Sequence, residues 1–142
     1  MGLRADPFEA PVSVRYLDVD QQGVVFHMWY LAYFEDARNA FLAARGLALP
    51  DLIEQGCDLQ LAHTEVDWRS SVRWTDKASV RVQPSRVGTT SFTIDYAVRV
   101  DDVEIVSGRT VYVTVAIKGA KQPIPDSLRR LLCDEITRLG AT

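Results

Sequence analysis

Two carboxylates and a histidine lie within one short stretch of this sequence. Asp18 and Asp20 precede Gly23, and His27 follows. A carboxylate can act as a nucleophile, or it can activate a water molecule as a general base. A neighbouring imidazole could orient that water or tune the carboxylate, because histidine titrates near physiological pH. The other interpretation of Asp20 is structural, because aspartate also stabilises turns and caps helices.

Metal binding is poorly supported by the same residues. The spacing D-x-D-x-x-G from Asp18 to Gly23 is that of the start of an EF-hand loop, but Gln22 occupies its fifth position and Trp29 its twelfth, where a bidentate glutamate is needed. Two cysteines, 57 and 133, are too few and too far apart for a disulfide framework or paired zinc ligands. We therefore expect no metal.

The elements around this stretch explain how its side chains would be positioned. Alternating apolar residues predict a strand over residues 12–19, which ends beside the two carboxylates. Gly23 allows a turn, and a helix is predicted from Tyr30 to Arg45, with Gly46 at its C-terminal cap. The apolar stripe of this helix consists of Tyr30, Phe34, Ala37, Phe41 and Ala44. Unpaired N–H groups at the helix start suit a developing oxyanion.

The rest of the chain predicts a scaffold of strands. We expect a loose lead-in over residues 1–10, a short helix from Pro50 ended by Gly56, and a C-terminal helix from Asp126. Period-two patterns predict strands near residues 58–68, 78–83, 92–100 and 103–117, with a bend at 69–71 and turns at 87–89 and 101–102. Short turns imply antiparallel neighbours, so the economical fold is an α+β layer in which one sheet wraps around one helix.

Composition limits the classes of function. The 142 residues are 47% hydrophobic and 25% charged, as in one ordinary globular domain spanning residues 1–142. The net charge of −3 gives no overall basic bias toward nucleic acid. No apolar run approaches the roughly 20 residues of a membrane span, and the N-terminus lacks the apolar core of a signal peptide, so we expect a cytoplasmic protein.

The run D-V-D-Q-Q-G-V-V-F-H-M-W-Y-L-A-Y-F-E-D-A-R resembles the signature of hotdog-fold acyl-CoA thioesterases of the 4-hydroxybenzoyl-CoA thioesterase type. The matching positions are Asp20, Gly23, Val24, Val25, His27, Tyr30, Phe34, Glu35 and Arg38. The resemblance continues more weakly to about residue 117. It implies the hotdog fold, a curved antiparallel sheet around a long central helix. It also implies hydrolysis of an aromatic or short- to medium-chain acyl-CoA without a cofactor, by a homodimer or homotetramer.

The resemblance also assigns roles to particular residues. Asp20 would be the catalytic carboxylate, and the backbone N–H of His27 would polarise the thioester carbonyl, with a side-chain role for His27 left open. Substrate contacts would come from Gly23, Val24, Tyr30, Glu35, Arg86, Gly88, Thr89, Thr90 and Ser91. Glu35 would face the acyl pocket across a dimer interface, although an exposed ion pair with Arg38 is the structural alternative. The pantetheine arm would lie near residues 86–91.

Several alternatives stay open at this point. Asp20 could act as nucleophile or as general base, the carrier could be coenzyme A or an acyl carrier protein, and the acyl group is undetermined. A non-catalytic module that binds acyl thioesters would also keep the fold. A hotdog hydratase is less favoured, because the resembled hydratases place histidine five residues after aspartate, whereas His27 is seven after Asp20. The phosphate contacts of coenzyme A could come from Arg69, Arg73, Lys118 or Lys121.

Overall fold

The computed structural model describes residues 5–140. It contains five strands, three α-helices and one short 3₁₀ helix among these residues. In chain order they are β1 Phe8–Pro11, the 3₁₀ helix Tyr16–Asp18, α1 Trp29–Ala44, α2 Leu49–Glu54, β2 Cys57–Trp68, β3 Ala78–Val87, β4 Ser91–Val100, β5 Val103–Ala116 and α3 Asp126–Gly140.

The strands form one antiparallel sheet in the order β1-β3-β4-β5-β2. Asp101 and Asp102 join β4 to β5 with φ values of 51° and 63°. This left-handed backbone at both central residues is the geometry of a tight two-residue hairpin, and aspartate tolerates it better than most residues. The sheet and the helix packed against it form the hotdog α+β fold, which confirms the predicted fold class.

Helix α1 packs its apolar stripe on the inner face of the sheet. Tyr30, Phe34, Ala37 and Phe41 are all buried, whereas Ala44, the last residue of the predicted stripe, is exposed. The ring of Phe34 stacks on that of Tyr96 in β4, with centroids 4.6 Å apart. Helix and sheet approach closely at Gly108 of β5, where a Cβ atom would lie 2.5 Å from Phe34 Cε2. Only glycine leaves room for the ring at this contact.

Helix α3 closes the core beyond the end of α1. Leu128 and Leu132 are fully buried in the same hydrophobic core. The carboxylate of Glu135 accepts hydrogen bonds from Arg45 (2.8 Å and 3.1 Å) and from Arg138 (2.6 Å and 3.3 Å). Because Arg45 follows directly on α1, this buried carboxylate ties the two helices together.

The predicted first strand over residues 12–19 is wrong. The strand that pairs with β3 is earlier, at Phe8–Pro11, whereas Tyr16–Asp18 forms a 3₁₀ helix. The Asp18 side chain accepts the Arg15 N–H at 3.1 Å, which draws the chain out of an extended conformation. The loose lead-in over residues 1–10 is wrong for Phe8 to Ala10, and its residues 1–4 lie outside the described residues. Pro11 is tolerated because β1 is an edge strand.

The other predicted elements are confirmed, with small differences at their ends. The long helix begins at Trp29 and ends at Ala44, and Gly46 follows it with a φ of +87°. The short helix is Leu49–Glu54, and Gly56 follows it with a φ of +81°. The four later strands and the C-terminal helix are all present. Within residues 5–140, no helix is both long and apolar enough to cross a bilayer.

Candidate active site

Asp20 lies near the start of a tight loop between the 3₁₀ helix and α1. Val19 and Val25 form an antiparallel bridge, the Asp20 N–H donates to the Val24 carbonyl (2.9 Å), and the Gly23 N–H donates to the Asp20 carbonyl (3.0 Å). Gly23 has a φ of +76°, a conformation that strains other residues. The predicted turn at Gly23 is therefore confirmed, and it fixes the backbone on both sides of Asp20.

The Asp20 side chain is exposed and only partly engaged. Its Oδ1 atom accepts the Gln22 N–H at 2.8 Å, so the expected turn-stabilising role is present. Its Oδ2 atom accepts no hydrogen bond from any residue between 5 and 140. One carboxylate oxygen is thus held in place while the other is available for a reaction.

Two further hydrogen bonds attach the loop to its surroundings. The Val25 N–H donates to the Val72 carbonyl at 2.8 Å, and the Phe26 N–H donates to the Asp18 carbonyl at 2.8 Å. Val24 also forms an isolated bridge with Arg73. The segment after β2 therefore supports one side of the loop. Asp18, where the loop begins, holds Phe26, where it ends.

The start of α1 presents free backbone donors beside the loop. The N–H groups of Trp29 and Tyr30 donate to the carbonyls of Phe26 (3.0 Å) and His27 (3.4 Å). Those of His27 and Met28 have no acceptor in the part of the chain that the structure describes. The His27 ring is exposed and lies 4.2 Å from the Phe26 ring. The local geometry at His27 suits a backbone oxyanion site.

A cleft of about 260 Å³ brings Asp20, Val24, His27 and Tyr30 together. These are four of the predicted site residues. The remaining lining consists of Val25, Phe26, Trp68 and Ser71. The Trp68 ring packs edge-on against Tyr30, with centroids 5.9 Å apart. The Tyr30 hydroxyl accepts the Val72 N–H at 3.0 Å, and burial raises the pKa of that hydroxyl.

Sequence reasoning did not find Trp68 or Ser71 as site residues. Both belong to the end of β2 and the bend after it, about 50 residues beyond Asp20 in the chain. The predicted bend at residues 69–71 is the one indication in the sequence, because it marks where strand β2 ends. Nothing in the local pattern indicates that this bend meets the Asp20 loop.

Glu35 lies farther along α1 and is only half-buried. It forms an ion pair with Arg38, as the structural alternative expects, but Arg38 is buried, so the pair is not the exposed one that was predicted. The Tyr112 hydroxyl donates to Glu35 Oε2 at 3.4 Å, and the Arg38 guanidinium lies 4.9 Å from the centroid of the Tyr112 ring. Glu35 is thus held toward β5, and its role in a substrate pocket stays a prediction.

The turn at residues 86–91 lies at the other end of the sheet. Trp68 is level with Val106 and Val98, whereas Ser91 is level with Val113. Seven residues of β4 separate Ser91 from Val98, about 23 Å at roughly 3.3 Å per residue. One chain therefore does not bring Arg86, Gly88, Thr89, Thr90 and Ser91 to the Asp20 cleft.

Comparisons with known proteins agree on one family. The family model of the thioesterase-like superfamily matches residues 14–132. A putative esterase of Aquifex aeolicus (strain VF5) is 26% identical over 128 residues, which are 90% of this chain and 99% of that protein. A 1,4-dihydroxy-2-naphthoyl-CoA hydrolase of Nostoc punctiforme is 28% identical over 118 residues, 82% of this chain and 80% of the relative.

A solved structure supports the fold independently. The 1,4-dihydroxy-2-naphthoyl-CoA thioesterase of Synechocystis superposes with a TM-score of 0.80 at 24% identity. The superposition covers 89% of this chain and 96% of that one.

Proposed function

The chain belongs to the thioesterase-like superfamily and is a thioester hydrolase, and we propose that it converts an aromatic or short- to medium-chain acyl-CoA to the free acid and coenzyme A. One observation carries this proposal. Asp20 and His27 line the same cleft, and among residues 5–140 one Asp20 carboxylate oxygen and the His27 N–H have no hydrogen-bond partner. A base or nucleophile beside oxyanion donors is the arrangement that acyl transfer requires.

The proposed reaction begins with the thioester carbonyl at the start of α1. Its oxygen accepts the N–H of His27, which stabilises the negative charge that develops when the carbonyl carbon is attacked. In the nucleophilic route, Asp20 Oδ2 bonds to the acyl carbon, the carbon–sulfur bond breaks, and the coenzyme A thiolate leaves and takes up a proton. Water then cleaves the mixed anhydride. In the general-base route, Asp20 removes a proton from a water whose oxygen bonds to the acyl carbon, the carbon–sulfur bond breaks, and the leaving coenzyme A thiolate takes up that proton.

We further propose that the complete site needs two chains. Strand β2 is an exposed edge of the sheet, and an unpaired edge favours addition of another strand. If two β2 strands pair antiparallel about a two-fold axis, the Trp68 end of one chain meets the Cys57 end of the other. The 86–91 turn of the second chain then lies at the end of the sheet that carries the first chain's Asp20. In such a dimer, or in a tetramer of such dimers, residues 86–91 of the second chain would lie near the pantetheine arm of the substrate bound at the first chain's Asp20.

The aromatic acyl class has some support of its own. Phe26, Tyr30 and Trp68 line the cleft, so a planar ring would find apolar and aromatic partners. The Nostoc punctiforme relative is a hydrolase of an aromatic acyl-CoA. Glu35, beside Tyr112, would contribute a polar group to the pocket.

The function is tested by measuring thiol release from a panel of aromatic and aliphatic acyl-CoAs. We expect turnover, with the preferred acyl class identified by kcat/KM. Parallel assays with the same acyl groups on an acyl carrier protein distinguish the two carriers. Tight binding of acyl-CoA without thiol release from either carrier would contradict the proposal and favour a non-catalytic binding module.

A further inference from the structure

The buried carboxylate of Asp18 has both oxygens occupied. Only 1% of this residue is exposed. Oδ2 accepts the Arg15 N–H (3.1 Å) and the Tyr33 hydroxyl (2.8 Å), and Oδ1 accepts the Arg15 guanidinium (3.0 Å from Nε and 2.8 Å from Nη2). Burial would raise the pKa of Asp18, but these hydrogen bonds together hold it below its ordinary value. Asp18 is therefore an ionised, fully satisfied group that has no free oxygen for catalysis or for calcium.

The partners of Asp18 belong to the elements that frame the cleft. Tyr33 lies in α1, one turn after its first residue, Trp29. The Arg15 guanidinium lies 4.8 Å from the centroid of the Trp29 ring. The Asp18 carbonyl accepts the Phe26 N–H, which closes the loop that carries Asp20. Arg15, Asp18 and Tyr33, which we call the Asp18 cluster, thus fasten the loop to the first turns of α1.

The two proposed catalytic groups are each close to this cluster in the chain. Asp20 follows Asp18 by two residues, and His27 follows Phe26 directly. A shift of the loop against α1 would change the separation of the Asp20 carboxylate from the His27 N–H. Displacement of reacting groups by about 1 Å can lower a rate about 100-fold. The hydrogen bond from the Tyr33 hydroxyl to Asp18 joins the side chains of helix and loop directly.

We propose that Asp18 and Tyr33 are positioning residues for thioester hydrolysis, because the Asp18 cluster holds the Asp20 loop in register with the oxyanion donors of α1. This inference rests on the proposed function of Asp20. It makes Tyr33, a residue of α1 that no sequence motif singled out, part of the support of the site.

The test measures kcat, KM and Tm for Tyr33→Phe and Asp18→Asn on the best acyl-CoA. Tyr33→Phe keeps the ring and removes only the hydroxyl that donates to Asp18. We expect kcat to fall about 10-fold for Tyr33→Phe and about 30-fold for Asp18→Asn, with KM within about 2-fold, because alignment and not binding is lost. The double variant should lose less than the product of the two single losses, because both changes break one interaction.

Glu135→Gln is the matched control. Glu135 is also a buried carboxylate held by arginines, but it joins α3 to the end of α1 and does not line the cleft. We expect this variant to lose stability and keep kcat. If Glu135→Gln and Tyr33→Phe have the same Tm and lose kcat equally, the loss comes from lower stability and not from the position of Asp20, and the inference is overturned.

Two further outcomes separate this inference from the proposed function. If Tyr33→Phe and Asp18→Asn keep kcat within about 2-fold of native while Asp20→Asn is inactive, the positioning role is wrong and the role of Asp20 stands. If Asp20→Asn itself keeps full turnover, the catalytic role of Asp20 is wrong, and the positioning role is wrong with it. If the native protein releases no thiol from any acyl thioester, the proposed function itself fails. Tyr33→Phe carries the test alone if Asp18→Asn does not fold.

Discussion

The side chain of Asp20 and the backbone of His27 supply different parts of the proposed chemistry. Asp20 offers an oxygen without a hydrogen-bond partner among residues 5–140, and His27 offers a backbone N–H with none in that range. The His27 imidazole is exposed and contacts the Phe26 ring. These environments predict unequal effects of removing the two side chains.

His27→Ala tests the backbone role. The substitution leaves the N–H in place and removes only the imidazole, so we expect kcat to fall by less than about 10-fold, which corresponds to less than about 1.4 kcal/mol of transition-state stabilisation. Steady-state thiol release measures the effect, and circular dichroism checks the fold. A loss as large as that of Asp20→Asn would instead make the imidazole an essential acid or base.

At the scale of elements, the contact between α1 and β5 depends on one glycine. A Cβ at position 108 would lie 2.5 Å and 2.8 Å from two atoms of the Phe34 ring, which is already stacked on Tyr96. Gly108→Ala should therefore destabilise the fold by about 2 kcal/mol, because the ring must leave a packed position. Chemical denaturation measures the change. Gly140→Ala, where no atom lies within 4 Å of the added Cβ, is the control and should be nearly neutral.

The ion pairs of Glu135, which connect α3 to the end of α1, predict that the stability of the fold depends on pH. Burial would raise the pKa of Glu135, but Arg45 and Arg138 lower it below its ordinary value of 4.5. A carboxylate with a depressed pKa stabilises the fold above its unfolded-state pKa, and this stabilisation is lost as the pH falls through the folded-state value. Glu135→Gln should therefore be less stable than native at pH 7, by about 2 kcal/mol.

The pH series itself gives the clearest result for Glu135. The difference in Tm between native and Glu135→Gln should narrow as the pH falls below 4.5, because the unfolded chain then binds a proton at Glu135 while the folded carboxylate, with its lower pKa, is still ionised. Calorimetry from pH 7 to pH 3 measures this difference. A constant difference across that range would show that the charge of Glu135 contributes nothing to stability.

The elements that local residue patterns determine were predictable from sequence. Helix α1, its glycine at position 46 and the Asp101–Asp102 turn follow from spacing and turn chemistry. The first strand was not predictable in this way, because residues 12–19 alternate like a strand but Asp18 accepts the Arg15 N–H and Tyr33 holds it from α1. A long-range hydrogen bond to a buried carboxylate leaves no periodic signal in the sequence.

The contrast between local patterns and long-range contacts also holds for the residues of the candidate active site. Asp20, Val24, His27 and Tyr30 are close in sequence, so a short motif could identify them together. Trp68 and Ser71 reach the cleft only because β2 ends beside the Asp20 loop, which is a property of the tertiary fold. The 86–91 turn belongs to the opposite end of the sheet, so its proposed role depends on a second chain.

At the scale of the whole molecule, the proposed two-chain site predicts that activity depends on association. Leu61 lies near the middle of the exposed edge strand β2, and 43% of its surface is accessible. Leu61→Asp would bring two carboxylates close to the proposed two-fold axis, where like charges repel. We expect the variant to become monomeric and to lose turnover while remaining folded. Light scattering after size-exclusion chromatography measures the association.

Val103→Asp is the control for this change. Val103 is 58% exposed and lies beside the β4–β5 turn, away from the middle of the β2 edge, so the dimer and its activity should be kept. A fully active Leu61→Asp monomer would contradict the two-chain site.

The catalytic role of Asp20 in thioester hydrolysis is tested most directly by comparing native protein with Asp20→Asn on the best acyl-CoA. Asparagine keeps an oxygen that can accept the Gln22 N–H, so the loop should be preserved and Tm should match. We predict that kcat falls at least about 1,000-fold, because an amide is neither a base nor a nucleophile. Turnover within about 10-fold of native at equal Tm would contradict the assignment of Asp20.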